Sequence, residues 1–343
     1  MRGDTAMLIR VPDYFENFHC LAGACPHSCC IGWEVVVDDS TAARYREVSG
    51  PLGDKLRAAL RQDEEGDLCF PLDGGRCPFL DDENLCEIHR RLGEEATSVT
   101  CREHPRFTED YGPFREITLS ASCPKVNDLL LGSEPPLTFR EFETPEPGEE
   151  GDPWLSDLVP LRDHMIEVLR DRTRPLRQRL RRFLDLAARA QALLDQDETA
   201  GLPALEAGEP EVPAHREAAG LFPDALRLLG TLEILEPDWE EVLRQAEDVP
   251  GTAAPETALE RIAVYFAFRY LLKTVNDGDL LSRAQLCVFA VLVVERLSAA
   301  CGLPEALRRF SREIEHNEDN VEALLDAFRF TFTQEDFLAE LAK

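Results

Sequence analysis

From Trp154 to the last residue the chain carries a helical pattern of apolar and polar positions. Leu155, Leu158, Leu161, Met165, Val168 and Leu169 recur at spacings of three and four, which places them on one amphipathic stripe. The same periodicity predicts further helices over residues 177–195, 214–230, 238–247, 256–275, 283–301, 303–316, 319–328 and 334–342. Pro175 should break the chain or start a helix, because its ring fixes φ and removes a donor. The most apolar run, Leu286 to Val294, is too short to span a bilayer and ends in Glu295-Arg296. It reads as a buried helix, and no membrane insertion is expected. No internal repeat of fixed period is visible.

Residues 1–131 read differently, as short elements separated by loops. Trp33–Val37 predicts a short strand, and Asp39-Ser40-Thr41 offers N-cap oxygens for a helix reaching about Arg46. A second helix is predicted over Leu52–Arg61, and Gly93 to Cys101 should include a helical turn. Residues 132–153 are rich in Pro and Glu and read as a linker or an ordered strap. The segment between Asp197 and Pro213 is again rich in Pro, Glu and Gly. The fold class expected is mostly α: a cysteine-rich N-terminal module with few short strands (1–131), a linker or strap (132–153) and an α-helical domain (154–343), with the active cleft between module and domain.

Charge narrows the partners. The chain has a net charge of -29, which argues against nucleic acid, since phosphate binding needs basic patches. The basic run Arg170–Arg182 is the exception, and it reads as a solvated helix face with i,i+4 pairs. The first twenty residues have no apolar core and no small-residue cleavage site, so a cytoplasmic location is expected.

The candidate chemistry lies in the cysteines. Nine of the eleven fall in the first 123 residues: Cys20, Cys25, Cys29, Cys30, Cys69, Cys77, Cys86, Cys101 and Cys123. Their number is odd, two are adjacent, and the chain is too long to need disulfide staples, so a disulfide framework is disfavoured. They cluster with Pro, Gly, His and charged residues, so they do not read as core thiols; Cys287 and Cys301, in Leu/Val/Ala-rich helical sequence, do. Metal or iron–sulfur ligation remains, with zinc and iron both open. Cys25-Pro26, Cys77-Pro78 and Cys123-Pro124 lean the choice toward iron–sulfur. The C-x3-C-x2-C triad of radical enzymes is absent. Eight or nine thiols exceed the four that one centre needs, which means two sites or supporting cysteines.

Phe18-His19-Cys20, Cys25-x3-Cys29-Cys30-Ile31-Gly32-Trp33, Cys77-Pro78-Phe79-Leu80, Cys86-x-Ile88-His89, Leu92-Gly93-Glu94, Cys101-Arg102, Pro105-Arg106 and Ser122-Cys123-Pro124 follow one another in a distinctive order. Over residues 14–128 this order resembles the flagellin lysine-N-methylase (FliB) family, within the wider CxxCxxCC-type zinc- or iron-chelating cysteine-cluster proteins. Tyr265-x-x-Phe268-Arg269 and Asp277-Gly278-Asp279 resemble the helical half of that family less specifically. His104 stands where the family has an aromatic such as Tyr, and Cys69 is additional. The resemblance implies transfer of a methyl group from S-adenosylmethionine to lysine side chains of flagellin, and a [4Fe-4S] cluster.

No G-x-G-x-x-G motif between strand and helix marks the donor site. Methylation needs a neutral lysine amine, whereas a free lysine has a pKa near ~10.4. A group must therefore desolvate the amine or take its proton. The candidates are His104, Glu103 and Tyr111, with His89 behind them. Arg102 or Arg106 would hold the donor's carboxylate in a forked contact, or would brace loops and balance a thiolate-bound cluster. The candidate ligands are Cys20, Cys25, Cys29, Cys30, Cys77, Cys86, Cys101 and Cys123; His27 is a further ligand candidate or a loop residue. The rival expectation is a non-catalytic zinc or iron–sulfur protein in metal handling or electron transfer.

Overall fold

The computed structural model describes residues 6–63, 66–211, 221–248 and 254–343. Its strands are β1 (Ala6–Pro12), β2 (Val35–Val36), β3 (Arg61–Gln62), β4 (Leu68–Phe70), β5 (Arg106–Asp110), β6 (Phe114–Leu119) and β7 (Phe139–Pro147). Its helices are α1 (Asp39–Glu47), α2 (Gly50–Ala59), α3 (Glu87–Leu92), α4 (Val99–Glu103), α5 (Pro124–Leu131), α6 (Leu155–Arg170) and α7 (Leu176–Leu194). They continue with α8 (Leu221–Leu229), α9 (Trp239–Asp248), α10 (Glu256–Tyr270), α11 (Leu280–Cys301), α12 (Leu303–Glu315), α13 (Glu318–Phe330) and α14 (Gln334–Leu341). The protein is mostly helical with a few short strands, as the pattern predicts.

The expected helices form close to their predicted bounds. Asp38 caps α1 by accepting from the Thr41 amide, and Pro175 precedes the first residue of α7. The predicted start at 214 lies outside the described residues, and α8 is seen from Leu221. The apolar run grows into a helix of 22 residues, long and apolar enough to cross a membrane, the one such helix among the described residues. That helix, α11, lies at the centre of the core: Leu286 to Val294 are buried by α7, α9, α10, α12 and α13. The run thus lies inside a helix close to the one predicted over 283–301, and neighbouring helices cover it.

A four-stranded sheet was not anticipated. Its order is β5-β6-β1-β7, with β1 parallel to β6 and antiparallel to β7. Residues 132–153 include β7, which runs along β1 from Phe139 opposite Pro12 to Pro147 opposite Ala6. As an edge strand β7 exposes most of its residues, and its charges and prolines are what an edge tolerates.

The cores divide the chain differently from the expected boundary at 131. Tyr14, Leu119, Ala121, Val126, Leu130 and Leu137 join the main core with the helices that follow. A second, small core holds Val35, Val37, Ala42, Tyr45, Leu52, Leu56, Phe70, Cys77, Phe79 and Ile88. The large sheet therefore belongs to the helical body, and the small core is the platform under the cysteine loops.

The Arg170–Arg182 run is not a free cationic surface. Arg172 and Arg179 both donate to Glu260, at 2.8 and 2.6 Å, and the Glu260 carboxylate is fully buried. Arg174, Arg177 and Arg182 pair with Asp171, Glu295 and Glu209.

Candidate functional site

Two tight backbone links bring the cysteine segments together. The Cys77 amide donates to the Cys30 carbonyl at 2.8 Å, and Gly32 N–H donates to the Gly75 carbonyl at 2.9 Å. Leu80 bridges Cys86 across a short antiparallel turn. Cys86 and Cys123 stand at the N-caps of α3 and α5, where unpaired amides and the helix dipole favour a thiolate. Cys101 lies in α4, where its own amide donates to the Ser98 hydroxyl and the Val99 amide donates to Asp38.

The thiols form two adjoining sets that meet at Cys29 and Cys30. Cys30 interacts electrostatically with Cys77, Cys86 and Cys101. Cys25 interacts with Cys20 and Cys30, and Cys123 with Cys25 and Cys20. A hydrogen bond from Cys29 lowers the Cys30 thiol to about 7, with help from Ser28 and Arg76, and raises Cys29 correspondingly. Burial pushes Cys77 up to about 12 and raises Cys25, Cys86 and Cys123. Cys101 is exposed over much of its surface, yet the bulk around its sulfur raises it to about 11. The donor set is the soft, thiolate-rich kind that iron–sulfur and zinc centres use. Among the described residues, however, no three Cys, His, Asp or Glu side chains converge at ligating geometry. Cys69 stands apart: it is buried in β4, and its thiol donates to Glu34 at 3.4 Å. Cys287 is fully buried in α11, and Cys301 donates to the Leu297 carbonyl at its end, as core positions do.

The cysteine loop docks on α12. Arg312 donates to the Ile31 carbonyl at 2.8 Å and lies 4.1 Å over the Trp33 ring, whose indole N–H donates to the Cys29 carbonyl at 2.7 Å. His27 pairs with Glu305 on the same helix at 3.5 Å. Gly32 is required at this contact: its φ is +88°, and a Cβ there would collide with the Arg312 guanidinium. Gly32→Ala should lower the free energy of unfolding by about 2 kcal/mol, from left-handed strain and the displaced arginine; urea unfolding followed by tryptophan emission measures it.

Along this seam four rings meet. His316, at the end of α12, lies 5.0 Å from Trp33, 5.8 Å from His104 and 5.1 Å from Phe107, and Trp33 lies 5.9 Å from His104. All four residues are half-buried, so the cluster is reachable from solvent. Burial, then the Arg312 and Arg106 charges, hold His104 down to about 4. Burial, then His104, Arg269 and Arg312, hold His316 down to about 3. Both folded pKa values lie below the 6.5 of a free imidazole, so the unfolded chain binds more protons. Stability contributed by the neutral rings is present above pH 6.5 and is lost as pH falls toward 4 and then 3. At pH 5 the loss should be about 2 kcal/mol per imidazole. Chemical denaturation at pH 7 and pH 5 should show it, and a His104→Asn, His316→Asn chain should show much less.

The other sequence candidates fall in several places. Glu103 is exposed at the end of α4, and no hydrogen bond joins it to His104 among the described residues. Arg102 donates to the Thr97 carbonyl and, at 3.4 Å, to that of Glu95. Arg106 reaches the Arg102 carbonyl and the faces of Phe15 and Phe18. Both arginines brace the loops around the thiols. Tyr111 is buried at the far end of β5, beside Phe114, and its hydroxyl has no partner among the described residues. It lines a cavity of about 680 Å³ together with Glu109, Asp110, Glu146, Glu149 and Asp152, a wall without cysteine or histidine. His89 is exposed on α3. The sequence reading missed His316, Phe107, Arg312 and Ser120, and quoted Ser122 only as a motif letter. Nothing local marks His316 in the sequence, because its role arises only when α12 meets the cysteine loop.

Three curated relatives place the chain near known proteins. It is 28% identical over 136 residues to the flagellar biosynthetic protein FliU of Salmonella muenchen, covering 38% of this chain and 80% of that protein. It is 29% identical over 136 residues to the lysine-N-methylases of Salmonella choleraesuis and Salmonella typhimurium, covering 38% of this chain. The matched part spans 34% of each methylase, about a third of its length. The relation to the lysine-N-methylases is therefore distant and partial. No family model matches the chain, and no solved structure does.

Proposed function

We propose that the protein is an S-adenosylmethionine-dependent methyltransferase that modifies lysine side chains of flagellin or a flagellin-like protein. The observation that carries this reading is the distant relation to proteins named lysine-N-methylase. The relative named as a flagellar biosynthetic protein supports the substrate. The geometry is compatible: a seam of two neutral imidazoles and two aromatic rings lies beside the thiol loops, where a lysine amine would be desolvated.

In this reading a [4Fe-4S] cluster is held by four of Cys20, Cys25, Cys29, Cys30, Cys77, Cys86, Cys101 and Cys123. The set around Cys30 is the first choice, because Cys30 interacts with Cys77, Cys86 and Cys101 at once. When bound, the cluster would supply a compact charge, either to fix the loops or to orient donor and substrate. The chain's own residues do the rest. Gly32 and Arg312 hold the cysteine loop against α12, and Arg102 and Arg106 hold its other flank. His104 stays neutral and adds no cation where the donor's sulfonium must sit.

The rival reading, a non-catalytic zinc or iron–sulfur protein, rests on the same thiols and needs no donor. Binding of S-adenosylhomocysteine to the anaerobically purified chain separates the two. A thermal shift supports the methyltransferase, and calorimetric silence with a filled thiol site supports the rival.

A further inference from the structure

We propose that Tyr45 is a positioning residue of the thiol centre: its phenol donates a hydrogen bond to a metal-bound sulfur at Cys86 and Cys101. The inference rests on the reading of the Cys30 set as a metal centre, which the methyltransferase and its rival share. It adds a protein group outside the ligands that steadies the bound sulfur and tunes it.

Tyr45, in α1, is only 1% exposed, and its hydroxyl has no hydrogen-bond partner among the described residues. A buried polar group left without a partner costs stability, so a fold that keeps one has a use for it. Its own helix offers no acceptor. Asp38 accepts from the Ser40 hydroxyl and from the Thr41 and Val99 amides. Arg44 donates to the Thr41 hydroxyl and to the Glu95 carbonyl. The contacts to Val99 and Glu95 fasten α1 to α4, which carries Cys101, and to the turn before it. On its other side the Tyr45 ring stacks 5.8 Å from Phe70, and Phe70 lies 4.7 Å from Phe79, two residues after Cys77. Cys77 belongs to the same small core, and Cys30 and Cys86 pack against it. Of the ionisable groups around the Tyr45 oxygen, Cys101 and Cys86 act on it most strongly, ahead of Arg44 and Asp38. The Tyr14 and Tyr111 hydroxyls are also unpartnered, but arginines and carboxylates surround them, not thiols.

The chemistry selects the acceptor. A phenol keeps its proton until about pH 10, so Tyr45 is a donor at neutral pH. A neutral thiol is a weak acceptor, whereas a metal-bound thiolate or a bridging sulfide carries negative charge and accepts strongly. Cys30, Cys77, Cys86 and Cys101 interact in every pairing, and Cys86 and Cys101 are the two that reach Tyr45. A donor to such a sulfur spreads its charge and holds the ligand in its orientation. In a redox centre it also favours the more negative, reduced form. The ring stays in the apolar stack with Phe70 while the hydroxyl serves the metal, so one oxygen atom separates the two roles.

The test uses the complete, anaerobically purified chain with the metal it carries and follows loss of that metal to EDTA. Tyr45→Phe keeps the ring and removes the oxygen. It should release metal about 10-fold faster than the parent or more, within the range that supporting groups contribute to metal affinity. If the metal is iron, its reduction potential should fall as well. A second chain carries 3-fluorotyrosine in place of tyrosine, a more acidic phenol and a stronger donor. It should release metal more slowly than the parent; the other four tyrosines, Tyr14, Tyr111, Tyr265 and Tyr270, sit in the main core. A purely structural role predicts a different order, because an added fluorine and a lost oxygen both disturb packing. Release from Tyr45→Phe within about twofold of the parent, well short of a supporting group's contribution, overturns the inference. So does release from the fluorinated chain at or above the parent's rate, which decides the matter even if Tyr45→Phe does not fold. If the parent holds metal and the rates fail to order in this way, the inference fails alone. If the parent holds no metal, the metal-centre reading falls and takes the inference with it.

Discussion

A Cys30→Ser chain purified anaerobically should carry about a tenth or less of the iron and sulfide of the parent and should transfer no measurable methyl groups. Cys30 lies where the two thiol sets meet, and it interacts with Cys25, Cys77, Cys86 and Cys101. A hydrogen bond from Cys29 lowers its thiol below the usual cysteine value, and a thiolate is what a metal binds. Serine keeps the size and loses that ionisation, and loss of a ligand commonly exceeds the ~10–100-fold cost of losing a supporting residue. Cys69→Ser is the matched control. Its thiol lies in β4 against Glu34, away from both sets, so metal content and turnover should match the parent. Iron, sulfide and zinc analysis beside a methyl-transfer assay reads both variants. Equal iron in Cys30→Ser and the parent would remove the cluster from this part of the chain.

The second large effect is on stability. Glu260→Ala should lower the free energy of unfolding by about 3–5 kcal/mol, the usual cost of leaving a buried charge without its partner. The Glu260 carboxylate accepts from Arg179 and, in a forked contact, from Arg172, and Arg179 is only 2% exposed. Removing the carboxylate leaves Arg179 with the Leu169 carbonyl and a longer 3.6 Å pairing to the exposed Glu256. Guanidinium denaturation at neutral pH measures the loss, and a change under 1 kcal/mol would mean that water reaches these arginines.

Much of the helical body was legible because its apolar spacing is regular and its caps are conventional. α1 shows this best: Asp38 caps it, and Thr41, Ala42 and Tyr45 form its buried face. The sheet was harder to read. β7 reads Phe-Arg-Glu-Phe-Glu-Thr-Pro-Glu-Pro, an acidic, proline-bearing run that becomes a strand only because β1 lies beside it. The β5–β6 hairpin did carry a signal. Asp110-Tyr111-Gly112-Pro113 is a turn sequence between two alternating runs, and Asp110 accepts from the Gly112 amide at 2.9 Å. The density of cysteines overshadowed it.

Spacing and composition singled out the thiols; the fold puts Cys77, Cys86 and Cys101 within electrostatic reach of Cys30, and no three ligating side chains converge among the described residues. The seam depends on contacts between residues far apart in sequence. His104 was a candidate from its position, but its partner His316 is 212 residues later in the chain (316 minus 104) and lies at the end of an ordinary amphipathic helix. Gly32 and Trp33 could be quoted as motif letters, but their purpose, a close approach for Arg312 and a face for its guanidinium, appears only when α12 is in place. Tyr111 and His104 were grouped as alternatives by sequence; the fold puts one in the acidic cavity and the other on the seam.

The central claim is methyl transfer to lysine. The most direct measurement incubates the anaerobically purified chain with flagellin and S-adenosylmethionine carrying an isotopically labelled methyl group, followed by peptide mass spectrometry. The account predicts labelled methyl groups on lysine side chains of flagellin, dependent on both the chain and the donor. Intact, unlabelled flagellin beside a chain that retains its iron and sulfide would contradict it and leave the metal-binding reading in its place.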